Sequence, residues 1–330
     1  MPIVTLANGR SFSAERGVSI LDAALAAGLV LEHSCRTGRC GSCQAQVLGG
    51  YTAALRDEPS LSAEAAANGS ILTCVREAET DITLDAEDLS ALAGIKPRTL
   101  PCRISAISLV APDVMKVELR LPPNAGFAFR AGQYLDISGP GGLRRSYSIA
   151  SDMHRPDRLE LHVRRIDDGV MSAYWFQAAR TEDLLRFRGP LGTFFLRDVS
   201  GLALVFLATG TGYSPVQSML QQLAAMEPAA QPASVDVLWG GRVSVDLYAD
   251  LPECGELNVA FTPVLSRAGA EWRGTRGHVQ DVLLARAPRL EHVAVYACGS
   301  DAMIHAARTA LTAAGLPAKR FYSDAFVSSN

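Results

Sequence analysis

"HSCRTGRCGSCQ" (residues 33–44) sets three cysteines within nine positions and separates them with glycine, serine and arginine. Cys35, Cys40 and Cys43 read Cys-x4-Cys-x2-Cys, and Cys74 follows downstream in "ILTC" (71–74). This is the plant-type spacing for a 2Fe–2S cluster, whose four thiolates are shared two to an iron. Gly38 and Gly41 let the loop fold closely around such a cluster. They also let backbone N–H groups point at the sulfurs, contacts that help to set a reduction potential. Structural zinc usually shows two Cys-x2-Cys pairs, and this chain has one. A Rieske centre needs histidine ligands in Cys-x-His and Cys-x2-His units, and His33, which precedes the loop, fits neither. Buried cysteines that merely cluster remain as the plain alternative.

Composition narrows the setting. At 330 residues the chain exceeds one ordinary core, so two or three domains are expected. Hydrophobic residues at 48% and charged residues at 20% are typical of well-buried globular domains. A net charge of −3 and the absence of lysine-rich runs argue against a nucleic-acid or membrane-surface role. Seven cysteines, an odd number, fit disulfide pairing poorly. "MPIVTLANGR" lacks a basic stretch followed by an apolar one, so no signal peptide is visible. "LALVFLA" (202–208) is too short to span a bilayer. A cytoplasmic setting is expected, and there a cysteine cluster is more often metal-binding or catalytic than disulfide-bonded.

Three patterns succeed one another. Up to about residue 90, short apolar strands alternate with turns. "PIVTL" and "SFSA" flank the hairpin dipeptide Asn8-Gly9. "SILDAALAAG" reads as a helix with Ser19 as N-cap and Gly28 as stop. Strands follow at "CQAQVLGG" and "DITLD" (81–85), and "ALAGIKPRTLP" (91–101) reads as a linker. From about 102 to 197, strands "CRISAISLV", "VMKVELRL", "QYLDI", "RSYSIA" and "RLELHVRRI" predict an antiparallel barrel. Helical periodicity interrupts them only near "SAYWFQAA" (172–179), and "GPLGTF" (189–194) reads as a tight turn. From 202 onward strands alternate with helices, the signature of a doubly wound parallel sheet. The expected division is 1–91, a linker at 92–101, 102–198 and 199–330.

Each region carries a candidate site. On the barrel strand "LRRSYSIA" (143–150), Arg145 and Tyr147 share a face and Ser148 opposes them. That strand offers a guanidinium to a diphosphate and a phenol ring to a planar cofactor, although a polar surface strand has the same pattern. "GVMSAYW" (169–175) puts Gly169 and Ser172 at a helix start, where free N–H groups favour a phosphate; a simple N-cap at Ser172 is the alternative. "ATGTGYSPV" (208–216) follows an apolar strand and opens a helix, the context for a glycine-rich loop under a pyrophosphate. It is not Gly-x-Gly-x-x-Gly, so a structural turn stays open. "YACGS" (296–300) places Cys298 at a strand's carboxyl end, where open α/β sheets bind ligands. Cys102 and Cys254 lack any motif and read as structural.

In this order the motifs resemble the ferredoxin–NAD(P)H reductase superfamily, in the form that begins with a plant-type ferredoxin domain. The likeness spans essentially the whole chain. "ILTC", "LRLPP", "AGQYLDI", "RRSYSIA", "VYACGS" and "FYSDAFV" liken it most to CDP-6-deoxy-Δ3,4-glucoseen reductases. It is also similar to the reductases of naphthalene and terephthalate dioxygenases, phenol hydroxylase and methane monooxygenase. The resemblance implies a β-grasp ferredoxin domain, an antiparallel β-barrel flavin domain and a doubly wound nucleotide domain, a multidomain α+β and α/β chain. It implies that Arg145, Tyr147 and Ser148 hold FAD, with Ser148 near the nitrogen that accepts hydride. Gly169 and Ser172 then bind the flavin diphosphate. Gly210, Thr211 and Gly212, with Pro215, form the nicotinamide-nucleotide loop, and Cys298 and Gly299 lie beside the nicotinamide. Asp324 and Phe326 match the C-terminal acidic-x-aromatic end, whose ring covers the flavin until nicotinamide displaces it.

Relatives often read Gly-Gly-Thr-Gly-x-Ala-Pro, whereas this chain has Thr209 and Ser214 in that motif. The Thr209 version also occurs in NADPH-using members, and Arg242 after "LWGG" could meet a 2′-phosphate; NADH is the expected coenzyme, with NADPH possible. Electrons are expected to pass from NADH to FAD to the 2Fe–2S cluster and on to a protein partner, with no general acid or base required. That partner is either a sugar-nucleotide dehydrase or an oxygenase component. A non-enzymatic redox sensor would leave the flavin and nucleotide motifs without purpose.

Overall fold

The computed structural model of the chain describes all residues except 90, 91, 93, 156 and 327–330. Residues 91 and 93 of the expected linker, and Val327 of "FYSDAFV", therefore lie outside the described residues. The chain forms two compact units: Met1–Lys96 with Gly192–Phe194, and Pro97–Leu191 with Phe195–Phe326. Among the described residues no helix is long and apolar enough to cross a membrane.

The first unit starts with the hairpin expected around Asn8-Gly9, strands β1 (Ile3–Leu6) and β2 (Ser11–Ser13) pairing antiparallel. Helix α1 (Ile20–Ala26) follows, and the Ser19 hydroxyl accepts the Asp22 N–H as an N-cap does. Then come β3 (Gln44–Gly49), β4 (Thr52–Ala54), α2 (Ala63–Ala67), β5 (Ser70–Leu72), β6 (Arg76–Ala78) and β7 (Ile82–Asp85). The main sheet runs β2-β1-β7-β3-β5, with β1 and β7 parallel, and β4 pairs with β6 alone. Buried Val4, Leu6, Ile20, Leu21, Leu72 and Leu84 form the core between sheet and α1. That core fixes both chain segments that carry the cysteines.

The second unit opens with six antiparallel strands: β8 (Arg98–Ala111), β9 (Val114–Arg120), β10 (Tyr134–Ser138), β11 (Arg144–Ser148), β12 (Arg158–Arg164) and β13 (Leu184–Leu191). Their order is β11-β10-β13-β8-β9-β12, and a bridge from Ile149 to Leu161 joins the two edges into a barrel. Phe127, Phe129, Phe187 and Trp175 fill it, with Phe127 edge-on to Phe187 at 5.2 Å. Each fully buried phenylalanine contributes roughly 1.5–3 kcal/mol.

Two prolines misled the sequence reading here. β8 begins at Arg98, within the stretch expected to be a linker. Pro101 is tolerated because the strand is paired only with β13 until Arg103, where β9 joins on the other side. Of the turn expected at 189–194, residues 189–191 are instead the end of β13, and Gly189 and Pro190 lie opposite a register shift in β10. A bulge of this kind absorbs a residue that cannot donate to the ladder. The helix expected at 172–179 also starts earlier, as α3 (Val170–Ala173), and runs on into a π-helical turn at Tyr174–Ala178.

The same unit continues with β14 (Ala203–Thr209), α4 (Tyr213–Ala224), β15 (Ser234–Gly241), β16 (Val259–Leu265), β17 (Thr275–Arg276), α5 (Val279–Ala285), β18 (Val293–Gly299), α6 (Asp301–Ala313) and β19 (Phe321–Ala325). All six strands pair in parallel in the order β17-β16-β15-β14-β18-β19. The order reverses at β14, so ligands are expected beyond its carboxyl end.

Candidate functional site

The cysteine loop coils because Arg36, Gly38 and Gly41 all take positive φ, at 58°, 76° and 72°. Gly38 could not be otherwise: a Cβ there would lie 2.8 Å from the Asp57 carbonyl oxygen. The Ser60 N–H and hydroxyl both donate to the Gly38 carbonyl, at 3.2 and 2.8 Å. Thr73 donates its N–H to the Cys43 carbonyl at 3.1 Å, which brings the turn carrying Cys74 against the loop.

The four thiols stand two and two. Cys43 Sγ lies 3.2 Å from Cys74 Sγ, and Cys35 shares a side-chain hydrogen bond with Cys40. The N–H groups of Thr37 and Cys35 donate to the sulfurs of Cys35 and Cys40, at 3.4 and 3.5 Å. In each pair one thiol is held down and the other pushed up. The hydrogen bond from Cys40 lowers Cys35, and that from Cys43 lowers Cys74, in both cases against burial. Cys40 and Cys43 rise through the same shared hydrogen bonds, then burial and the partner's charge. Among the described residues, no group of three or more His, Cys, Asp or Glu side chains is arranged to hold a metal ion. An all-sulfur set in two pairs, with amides aimed at the sulfurs, fits a binuclear cluster.

In the second unit β11 presents Arg145 and Tyr147 half-buried, while Ser148 is buried. The Tyr147 hydroxyl accepts the Trp175 indole N–H at 2.9 Å, and the two rings meet edge to face at 6.0 Å. The phenol is thereby fixed in orientation, and burial pushes its ionisation up to about 12. Gly169 caps α3, and Ser172 sits inside the helix rather than at its cap. The Ser172 hydroxyl accepts the Ile166 N–H at 2.8 Å, which leaves its proton available to donate. The simple N-cap reading of Ser172 is therefore set aside.

Beyond β14, residues Gly210–Gly212 form one 3-10 turn that leads directly into α4. Thr211 and Pro215 are buried, so Pro215 shapes the first turn of α4 from within. A Cβ at Gly212 would overlap the Cys298 carbonyl, and one at Gly299 would overlap the Thr209 hydroxyl. Backbone thus packs on backbone where β14 and β18 end. Thr209, the departure from the usual motif, has a task here: its hydroxyl accepts the Ser300 N–H at 3.1 Å and ties the two strand ends together. Cys298 pairs in register with Asp324 of β19, and the Phe326 N–H donates to the Gly299 carbonyl at 2.9 Å. Burial first, and the Asp324 charge second, keep the Cys298 thiol protonated well beyond its ordinary range. Phe326 is 40% exposed.

Reading the sequence alone missed Arg164. It projects from β12 on the face opposite buried Leu161 and Val163 and pairs with Asp113 at 2.8 Å. One guanidinium nitrogen lies 2.8 Å from where a Cβ of Gly210 would be, so a cation stands over the Gly210–Gly212 turn. The alternation in "LELHVRR" was the available signal.

A thiol-lined loop, a barrel strand with a fixed phenol, and a glycine turn at a sheet's switch point define an iron–sulfur flavoprotein oxidoreductase. Residues 4–79 match the 2Fe–2S iron–sulfur cluster binding domain, 101–196 the oxidoreductase FAD-binding domain, and 206–309 the oxidoreductase NAD-binding domain. The chain is 39% identical, over 98% of its length and 97% of the other's, to the CDP-6-deoxy-L-threo-D-glycero-4-hexulose-3-dehydrase reductase of Yersinia pseudotuberculosis. It is 31% identical to reductase component 1 of the terephthalate 1,2-dioxygenase of a Comamonas species, covering 97% and 95% of the two chains. Among solved structures it resembles the Amycolatopsis cytochrome P450 reductase GcoB, with a TM-score of 0.71, 30% identity and 99% of each chain covered. The chain belongs to the ferredoxin–NAD(P)H reductase superfamily, among the members with an N-terminal plant-type ferredoxin domain. It is an oxidoreductase that uses a 2Fe–2S cluster, FAD and NAD(P)H.

Proposed function

We propose that this chain is the NADH-dependent reductase of a sugar-nucleotide 3-dehydrase and supplies that partner with single electrons. The observation that carries the reading is the 39% identity to the Yersinia dehydrase reductase along nearly the whole of both chains. The match to the terephthalate dioxygenase component is weaker at 31%, and it supports the second reading, an oxygenase as acceptor.

In this reading residues 1–91, 102–198 and 199–330 are the ferredoxin, flavin and nucleotide domains. Cys35, Cys40, Cys43 and Cys74 hold the cluster. Arg145 meets the flavin diphosphate, Tyr147 stacks on the ring with its hydroxyl anchored by Trp175, and Ser148 lies beside the ring. Gly169 and Ser172 bind the diphosphate through the helix N–H groups and the free hydroxyl proton. When bound, FAD accepts a hydride and releases its two electrons singly, and a plant-type cluster carries one electron at a time. Gly210, Thr211 and Gly212 cradle the coenzyme pyrophosphate, under the Arg164 cation. Cys298, a neutral thiol, and Gly299 line the nicotinamide position, with Asp324 behind and Phe326 as the displaceable ring. The Asp246 carboxylate accepts the N–H groups of Arg242 and Val243 at 2.6 and 3.2 Å. A fixed negative charge at the carboxyl end of β15 repels a 2′-phosphate, which favours NADH.

Coupled turnover tests the partner. NADH oxidation by this chain should drive deoxygenation of a CDP-4-keto-6-deoxyhexose when a hexulose dehydrase is added. Turnover with a ring-hydroxylating oxygenase alone, and none with the dehydrase, would overturn the assignment.

A further inference from the structure

The Gly210–Gly212 turn is held by a chain of contacts that reaches back to the flavin barrel. The Gly210 carbonyl accepts the Trp239 indole N–H at 3.0 Å, and the Trp239 ring stacks on Tyr213 at 4.2 Å. Tyr248 stands edge-on to Trp239 at 5.1 Å. Its hydroxyl is 3.0 Å from His162 Nδ1, and the imidazole meets the Tyr248 ring edge to face at 5.3 Å. His162 belongs to β12, its side chain is only 2% exposed, and its Nε2 lies 2.8 Å from Glu160 Oε1.

The proton order along this chain follows from chemistry. Glu160 is pushed up by burial, but the hydrogen bond and charge of His162, the Gln217 amide and the Lys116 charge outweigh this and hold it at about 2. An ionised carboxylate only accepts, so Nε2 donates its proton to Glu160, and Nδ1 shares a hydrogen bond with the Tyr248 hydroxyl. Every polar atom of the imidazole is thus satisfied on one path from the barrel to the turn. The two layers do not depend on this path for attachment. Gln217 of α4 also donates to the Ala150 carbonyl at 3.2 Å, and Ser218 to the Ser151 carbonyl at 2.7 Å.

We propose that His162 and Tyr248 are positioning residues that set the height of the Gly210–Gly212 turn, and hence of the nicotinamide, against the flavin barrel. This rests on the reading that the turn holds the coenzyme. Holding reactants in register is worth a great deal in rate: a misplacement of about 1 Å can cost roughly 100-fold.

The test compares Tyr248→Phe, which removes only the hydroxyl, with His162→Ala and His162→Asn in the holoprotein. Tyr248→Phe and His162→Ala should raise the KM for NADH and slow NADH-driven flavin reduction by about 10- to 100-fold. Flavin and iron content and dithionite-driven cytochrome c reduction should stay at wild-type level. Backbone amides of residues 210–213 should exchange with deuterium faster in both variants. His162→Asn keeps a hydrogen-bonding group near the Nδ1 position and should restore most of the loss. Wild-type KM together with wild-type exchange at 210–213 in Tyr248→Phe would overturn the proposal. Failure of the underlying reading looks different: Gly212→Ala would then leave NADH-driven flavin reduction at the wild-type rate, and the proposal would fall with it.

Discussion

A Cys74→Ser variant should reduce ferricyanide with NADH at close to the wild-type rate and fail to reduce cytochrome c. Cys74 is 2% exposed and its sulfur touches Cys43 Sγ at 3.2 Å. Serine fits the same volume, so packing around it changes little. The flanking backbone is held independently: Leu21 donates to the Thr73 carbonyl at 3.0 Å, and Val75 to the Leu72 carbonyl at 3.1 Å. What changes is the donor atom, from a soft thiolate to a hydroxyl that a 2Fe–2S cluster does not use. Losing a merely supporting contact costs a metal site about 10- to 100-fold, so losing a ligand should cut cluster-dependent transfer by at least roughly 100-fold. Ferricyanide takes electrons from the flavin directly and should not register the loss. If both activities vanished, the variant would be misfolded and the electron order unsupported; if cytochrome c reduction survived, Cys74 would not be a ligand.

The second large effect is expected from Gly212→Ala. The added Cβ would overlap the Cys298 carbonyl and approach the Gly299 nitrogen to 2.8 Å. Both neighbours are backbone, so no side chain can swing aside. Either the ends of β14 and β18 spread or the turn lifts; overpacking of this kind costs about 1–3 kcal/mol. A shift of about 1 Å at the turn should slow NADH-driven flavin reduction roughly 100-fold. Flavin and iron content should be unaffected, because Tyr147, Ser172 and the cysteine loop lie elsewhere in the chain. Stopped-flow reduction by NADH, set beside reduction by dithionite, separates the two. Equal slowing with both reductants would contradict the assignment of this turn to the coenzyme.

Much of this was legible before any coordinates. Periodicity marked the barrel strands and the alternating α/β segment, and Ser19 and Asn8-Gly9 announced the first helix and hairpin. What stayed hidden had a common cause: local signals that tertiary context reversed. Pro101 and Pro190 read as breakers, yet one-sided pairing and a bulge seat both within strands. Among the described residues the short β4 and β6 pair only with each other, and they carry too few residues for a pattern. A cap remained open as the alternative for Ser172, but Gly169 caps α3, and Ser172 lies inside the helix with its hydroxyl accepting the Ile166 N–H. At the site, motifs named the glycines, while Thr209, Arg164, His162 and Tyr248 depend on partners 51 to 91 residues away or on close backbone approach. Long-range contacts of that kind leave no trace in local spacing, which for Arg164 gave only the face of its strand.

Anaerobic titration of the purified protein with NADH, followed by visible absorption and electron paramagnetic resonance, bears most directly on the central claim. FAD takes two electrons and a plant-type cluster one, so flavin and cluster should both be reduced at about 1.5 NADH per chain, with a paramagnetic signal from the reduced cluster. A colourless protein holding zinc, or a flavin that bleaches while the cluster stays oxidised, would contradict it.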